Sequence, residues 1–195
     1  GFTGRANSAA VHGDPGVPFA AALHAIITFA ERHGVPPAAQ VVVGSPWHER
    51  FLEAGWKPLR DARPGAIVQV ADLAAALPDP DVQIEPSAGE AWLARYGRGD
   101  DPAVARAVLE GPERVGFAML EDVAIGRVVV TGEWAGLAAV GVAAEHRRRG
   151  LARRIVAAAL AWAAQRGADK AYLQVSADNI AALRLLSLIH ISEPT

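Results

Sequence analysis

The sequence predicts an α+β protein with an α/β/α layered arrangement, in which a mixed, mostly antiparallel sheet is flanked by helices. Two observations predict this fold class. Residues 114–120 and 124–132 alternate in polarity on either side of a tight turn, which is typical of an antiparallel strand pair. Residues 151–167 form a long helix with one apolar face, and a strand follows at 170–175, so the helix is expected to pack on the sheet.

The composition excludes several classes of function. The chain has 195 residues, of which 51% are hydrophobic and 21% charged, so it can bury a core. Its net charge of −2 gives no overall attraction to nucleic acid or to an anionic membrane. It has no cysteine, which excludes disulfides and thiol nucleophiles. No apolar run reaches the roughly 18 residues of a membrane span. We expect a cytoplasmic protein without a metal site and without a nucleic-acid or membrane partner.

The first half of the chain predicts four elements. Residues 17–34 have helical periodicity and end at Gly34, a residue that can cap the helix. Residues 38–44 are a β-branched run between turn residues and predict a buried strand. A short helix is predicted at 46–56 and a strand at 66–73.

The second half predicts more elements. Ser87 and Glu90 have the spacing of a capping box at a helix start. The predicted elements, in chain order, are a strand at 82–85, helices at 87–97 and 101–111, the antiparallel pair, a strand at 134–144, the helix and strand at 151–175, and a helix after Asp178.

The halves also share an order of elements. Residues 29–34 match 162–167, and 40–44 match 174–178, each time as helix, glycine, strand and helix. We infer a duplicated unit. The predicted division is a partial, degenerate N-terminal unit at 1–76, a proline-rich linker at 77–81, a second domain at 82–186 and a foreign-looking tail at 187–195.

Five arginines crowd the start of the long helix, where the helix dipole disfavours cations. They are Arg147, Arg148, Arg149, Arg153 and Arg154. Three interpretations compete: a solvated basic face, a nucleic-acid or phosphoinositide patch, and an anion pocket built from the first backbone N–H groups. Gly150 and Ala152 favour the pocket, because small residues allow close approach to the backbone. The spacing matches neither of the common glycine-rich nucleotide motifs.

At this loop, the stretch "VGVAAEHRRRGLA", with Arg147-x-x-Gly150-x-Ala152 after a strand, resembles the acetyl-CoA pyrophosphate motif of the GNAT superfamily. The later Asn179-x-x-Ala182-x-x-Leu185 is similar to a further motif of that family. The opening residues and the partial repeat resemble actinobacterial tandem-GNAT proteins, in which a degenerate unit precedes an active one. The resemblance implies a GNAT sheet and an N-acyltransferase that moves an acetyl group from acetyl-CoA to a primary amine. A non-catalytic acyl-CoA-binding or regulatory relative is the alternative.

The resemblance also implies roles for single residues. The N–H group of Val142 would contact the thioester oxygen, and Gly141 would form a bulge that opens a slot, although a simple packing gap is the other interpretation. Asn179 would contact the pantetheine arm, cap a helix, or do both. The full set of implied coenzyme-binding residues is Val140, Gly141, Val142, Arg147, Arg148, Arg149, Gly150, Leu151, Ala152 and Asn179.

Catalytic groups are less clear. Glu133 is a weak candidate for the general base, with a surface carboxylate as the alternative interpretation. The family's general-acid tyrosine is replaced by Leu186, and the following residues resemble a translated vector junction. We therefore expect a fragment with impaired turnover, whose strand at 171–175 is left with an open edge. The acceptor is expected to be a small-molecule or peptide amine, and the sequence predicts no oligomeric state.

Overall fold

The computed structural model describes residues 7–59, 65–73, 77–98, 101–180 and 182–183. The chain divides into two compact units, Gly1–Ala62 and Arg63–Thr195. The predicted tail at 187–195 lies outside the described residues.

The first unit is a small α/β element. Strands β1 (Ala9–Ala10) and β2 (Ala39–Gln40) pair in parallel, and helices α1 (Phe19–Arg32) and α2 (Pro46–Glu53) follow them in turn. Ser45 caps α2 by accepting the N–H of His48.

The predicted strand at 38–44 is wrong in extent and burial. Only Ala39 and Gln40 pair, while the side chains of Val42 and Val43 are 70% and 76% exposed. The chain turns at Gly44, whose φ is +79°, and enters α2. Val42 and Val43 therefore lie in the connection between β2 and α2, because the strand that pairs with β2, which is β1, is only two residues long.

The second unit contains a six-stranded sheet of order β3-β8-β7-β6-β5-β4. Every neighbouring pair is antiparallel except β7 and β8, which are parallel. The predicted mixed, mostly antiparallel sheet is confirmed. The strands are β3 (Ala66–Asp72), β4 (Gln83–Glu85), β5 (Val115–Leu120), β6 (Ala124–Thr131), β7 (Trp134–Val142) and β8 (Lys170–Ser176).

Strand β3 corrects one expectation. It pairs with β8 along its whole length, from Ala66 opposite Ser176 to Asp72 opposite Lys170. The strand at 171–175 therefore has no open edge on this side. Strand β3 lies within the unit Arg63–Thr195. Sequence pattern identifies a strand, but a partner about one hundred residues away is set by tertiary structure.

Helices cover both faces of the sheet. Helix α5 (Leu151–Ala164) packs on one face, where Val156, Ala159 and Ala163 join a core with Val128 and Leu137. The opposite face carries α3 (Glu90–Tyr96) and, after it, α4 (Pro102–Leu109).

Helix α3 is fixed by Trp92, which is 2% exposed and stacks edge-on against Phe117 of β5. Its indole N–H donates to the carbonyl oxygens of Ala118 and Gly126, both at 3.2 Å. The predicted capping box is wrong: the N-cap residue is Gly89 and no side chain caps this helix.

Among the described residues, no helix combines the length and hydropathy needed to cross a bilayer.

Candidate functional site

Strand β7 carries an irregularity close to the predicted position. Arg127 of β6 lies opposite Ala138, but Ile125 lies opposite Gly141, so one residue of β6 faces two residues of β7. Ala139 has a φ of +53° within this bulge. The sequence predicted a bulge at Gly141, whereas the residue with a left-handed backbone conformation is Ala139. The extra residue also changes which side chains face α5: Leu137 does so before the bulge and Val142 after it.

The two central parallel strands separate at this bulge. Their pairing begins at Trp134 and Lys170 and ends at Leu137 and Leu173, although both strands continue. A cleft of about 690 Å³ lies at the separation. It is lined by Arg95, Val140, Gly141, Val142, Ala143, Ala144, Arg147, Ala152, Val156, Leu173, Asn179 and Ala182.

Residues from both faces of the sheet line the cleft. Ala152 and Val156 belong to α5 on one face, while Arg95 belongs to α3 on the other.

The backbone of Val142 points away from β6. The N–H of Ala143 donates to Val123 O at 2.8 Å, which makes Ala124 and Val142 a non-hydrogen-bonded pair. In such a pair, the N–H and C=O groups of Val142 are directed to the opposite side, where β8 no longer pairs. The N–H of Val142 is thus a donor at the cleft, and its carbonyl oxygen accepts from Arg147 Nε at 3.3 Å.

The arginine loop forms a tight turn before α5. Arg148 and Gly150 have φ angles of +65° and +78°, and the first helical hydrogen bond runs from Arg154 N–H to Gly150 O at 3.2 Å. Among the described residues, none accepts a backbone hydrogen bond from the N–H groups of 148–153. Such a row of N–H groups at a helix start is suited to an anion.

The five arginines do not act together. Arg147 lines the cleft, and Arg149 lies 3.3 Å from His146 Nδ1. Arg154 turns away and donates to both oxygens of Asp79 at 2.6 and 2.7 Å, and also to Asp81. These hydrogen bonds raise the pKa of Arg154, and the same contact lowers the pKa of Asp79. Arg154 therefore anchors the segment before β4.

Asn179 caps a helix and also lines the cleft. Its side-chain oxygen Oδ1 accepts from the N–H of Ala182 at 3.1 Å, as a helix cap does, and the residue also lines the cleft. The side-chain N–H₂ group is a donor that the capping bond does not use.

Glu133 is not brought to the cleft. It lies just before β7, at the end opposite Val142, and its carboxylate binds Lys170 Nζ at 2.7 Å. The nine residues of β7 span roughly 25 Å from one end to the other. Leu186 lies outside the described residues. Sequence reasoning missed Arg95 and Leu173, because their place in the cleft depends on packing between distant segments.

Comparison with known proteins agrees with this architecture. The model of the family described as "Probable histone acetyltransferase Rv0428c C-terminal" matches residues 1–191. The uncharacterized N-acetyltransferase YobR of Bacillus subtilis (strain 168) is 36% identical over 69 residues, which are 35% of this chain and 28% of that protein. The chain thus matches little more than a quarter of this relative's length.

Two solved structures share the fold. A GCN5-related N-acetyltransferase from Sphaerobacter thermophilus superposes with a TM-score of 0.62 at 17% identity, over 92% of this chain and 67% of that chain. A tandem GNAT protein from the clavulanic acid biosynthesis pathway gives a TM-score of 0.63 at 15% identity, over 96% and 72%. With the family match over nearly the whole sequence, the chain belongs to the family described as "Probable histone acetyltransferase Rv0428c C-terminal", and it has the fold of these GNAT proteins.

Proposed function

We propose that the protein transfers an acetyl group from acetyl-CoA to a primary amine. The observation that carries the proposal is the cleft at the separation of β7 and β8, with the unsatisfied N–H groups of residues 148–153 at one end. In this reaction the neutral amine attacks the thioester carbonyl carbon, the nitrogen loses a proton to water, and the tetrahedral intermediate releases the CoA thiolate as the C–S bond breaks.

The diphosphate of the coenzyme would lie on the turn of residues 148–152. There the N–H groups of Arg148, Arg149, Gly150, Leu151 and Ala152 are available as donors, and the dipole of α5 favours an anion. Arg147 at the cleft edge would add a charge-assisted contact. Bound anion would also offset the repulsion among neighbouring guanidinium groups.

The pantetheine arm would lie in the cleft along β7, where Val140 and Gly141 form one wall. The N–H of Val142 would stabilise the oxyanion, because a fixed donor directed at developing charge lowers the barrier. The Asn179 amide would contact the arm while its oxygen caps the helix. Glu133 is left out of this proposal because of its position and its ion pair.

The proposal predicts slow turnover. Leu186 cannot donate a proton to a leaving thiolate, whereas a tyrosine hydroxyl could do so. We expect Leu186→Tyr to raise kcat by about tenfold or more with little change in the Kd for acetyl-CoA.

Isothermal titration with acetyl-CoA, followed by release of free thiol in the presence of primary amines, tests the function. Saturable binding with amine-dependent thiol release supports it. Binding without amine-dependent release, in both the natural chain and Leu186→Tyr, would instead favour an acyl-CoA-binding relative without catalysis. Absence of binding would contradict both.

A further inference from the structure

The face of the sheet opposite α5 carries the guanidinium of Arg127. Arg127 of β6 is half-buried, and no carboxylate among the described residues forms an ion pair with it. Burial is the largest influence on the pKa of Arg127 and lowers it, while the phenol groups of Tyr96 and Tyr172 act in the opposite direction. A cation partly removed from water without a carboxylate is held at an energetic cost.

The guanidinium of Arg127 has more N–H donors than its bonds to Leu109 use. Nε and Nη2 both donate to a single acceptor, Leu109 O, at 2.9 and 2.6 Å. Of the five N–H donors of an arginine, this arrangement occupies two. Its Cζ atom lies 6.0 Å from the centre of the Phe117 ring, within the range of a cation–π contact. The Nη1 atom is a donor that the bonds to Leu109 do not use.

Beside Arg127, this face of the sheet carries Ala138 of β7 and Tyr172 of β8, which we call the β7–β8 surface. Ala138 lies directly opposite Arg127 and is exposed. The phenol ring of Tyr172 lies over Gly136, where a Cβ atom would be 2.7 Å from the hydroxyl oxygen. Trp134 packs edge-on beside Tyr172, with ring centres 6.2 Å apart.

The β7–β8 surface lies next to the cleft. Ala138 is two residues before Val140, roughly 7 Å along the strand. Residues of both faces line the cleft, so a coenzyme arm held from the α5 side would present its end to this face. A molecule on the β7–β8 surface would have one group at the thioester and a more distant group beside Arg127.

We propose that the β7–β8 surface binds the acceptor and that Arg127 binds a carboxylate on it, so that the protein acetylates amines that carry a carboxylate group. This inference rests on the proposed acetyl transfer. Arg127 acts as a specificity-determining residue: it pairs with the acceptor's anion while the amine reaches the cleft. The acceptor carboxylate would supply the neutralising charge that the described residues lack.

The test compares acceptors that differ only in the anion. Linear amino acids from β-alanine to 6-aminohexanoate are each paired with their primary amides, and kcat/KM is measured for both members with acetyl-CoA in excess. We expect the natural protein to favour the acid of at least one pair by tenfold or more. Arg127→Gln should reduce the acid-to-amide ratio of kcat/KM to near one. Arg127→Lys keeps the charge but not the planar guanidinium, and it should give an intermediate ratio.

The ratio separates recognition from folding. Loss of the bond to Leu109 O would lower kcat/KM for the acid and the amide alike. Loss of an anion contact would lower kcat/KM for the acid only. Arg114→Gln is the matched control, since Arg114 also donates to a backbone carbonyl, that of Arg166, at 3.1 Å. It should leave the ratio unchanged.

An unchanged ratio in Arg127→Gln would overturn the proposal, and so would acetylation of the amides but of no acid in the series. Failure to bind acetyl-CoA, or failure to acetylate any amine, would instead mean that the proposed function fails. A measurement of the Kd for acetyl-CoA therefore accompanies each variant.

Discussion

Leu137 and Leu173 are the last residues through which the two central parallel strands pair, and the cleft begins directly beyond them. Two residues after Leu137, Ala139 adopts a left-handed backbone conformation and inserts an extra residue opposite β6. The bulge bends β7 while β8 continues beside β3. Separation of the two strands thus follows from a conformation at one alanine.

This conformation predicts the effect of substitutions at Ala139. A β-branched residue is disfavoured at φ +53°, so Ala139→Val should lower the free energy of unfolding by about 1–3 kcal/mol. Ala139→Gly should change it by less than about 1 kcal/mol, because relief of strain is offset by greater freedom of the unfolded chain. Urea denaturation measures both values. Equal stability of the two variants would contradict the assigned role of the bulge.

The turn at Gly150 predicts a loss of coenzyme affinity. At φ +78°, Gly150→Val strains the turn and displaces the N–H groups of the loop. Since each lost bond to a charged group is worth about 1.5–3 kcal/mol, the Kd for CoA should rise by roughly tenfold or more. Titration calorimetry measures this change.

Gly132→Val is the matched control for Gly150. Gly132 also has a positive φ, +57°, and open space around its Cβ position, but it lies in the turn before β7. Gly132→Val should lose about as much stability as Gly150→Val and should keep the natural protein's affinity for CoA. A similar loss of affinity in both variants would show that the effect comes from general destabilisation.

The two roles of Asn179 can be separated by one substitution. Asn179→Asp keeps an oxygen that can accept from Ala182 N–H, but it removes the amide donor. We expect an unchanged thermal midpoint and a Kd for CoA that rises about three- to tenfold. Unchanged Kd and unchanged midpoint together would mean that Asn179 is only a helix cap.

Local signals were sufficient for much of the fold. Alternation of side chains predicted β5 and β6, and the turn between them at Glu121 and Asp122 has the two positive φ values of a tight hairpin. Helix α5 and the glycine turn before it were also predicted, because helical periodicity and a small-residue loop are properties of adjacent residues.

Non-local features could not be predicted in this way. The bulge falls on Ala139 rather than on a glycine, because surrounding pairs impose its backbone conformation. The position of β3 beside β8 and the entry of Arg95 into the cleft depend on contacts between distant segments. Arg127 gave no signal in the sequence, since its lack of a carboxylate is visible only once its neighbours are known.

The contact between Arg154 and Asp79 predicts a specific pH dependence. The hydrogen bond from Arg154 is the largest influence on Asp79 and lowers the pKa of this carboxyl group. A carboxyl group whose pKa is lower in the folded state stabilises the protein above its unfolded pKa, near 4. That contribution is lost as the pH falls through the lower, folded value.

Arg154→Ala should therefore be less stable than the natural protein at pH 7, and the difference should shrink as the pH falls from about 4 towards 2. Urea denaturation at a series of pH values measures it. Arg153→Ala is the control, because Arg153 is next to Arg154 on α5 but forms no ion pair with Asp79 or Asp81. A difference between Arg154→Ala and the natural protein that stays constant down to pH 2 would show that the ion pair with Asp79 is not its source.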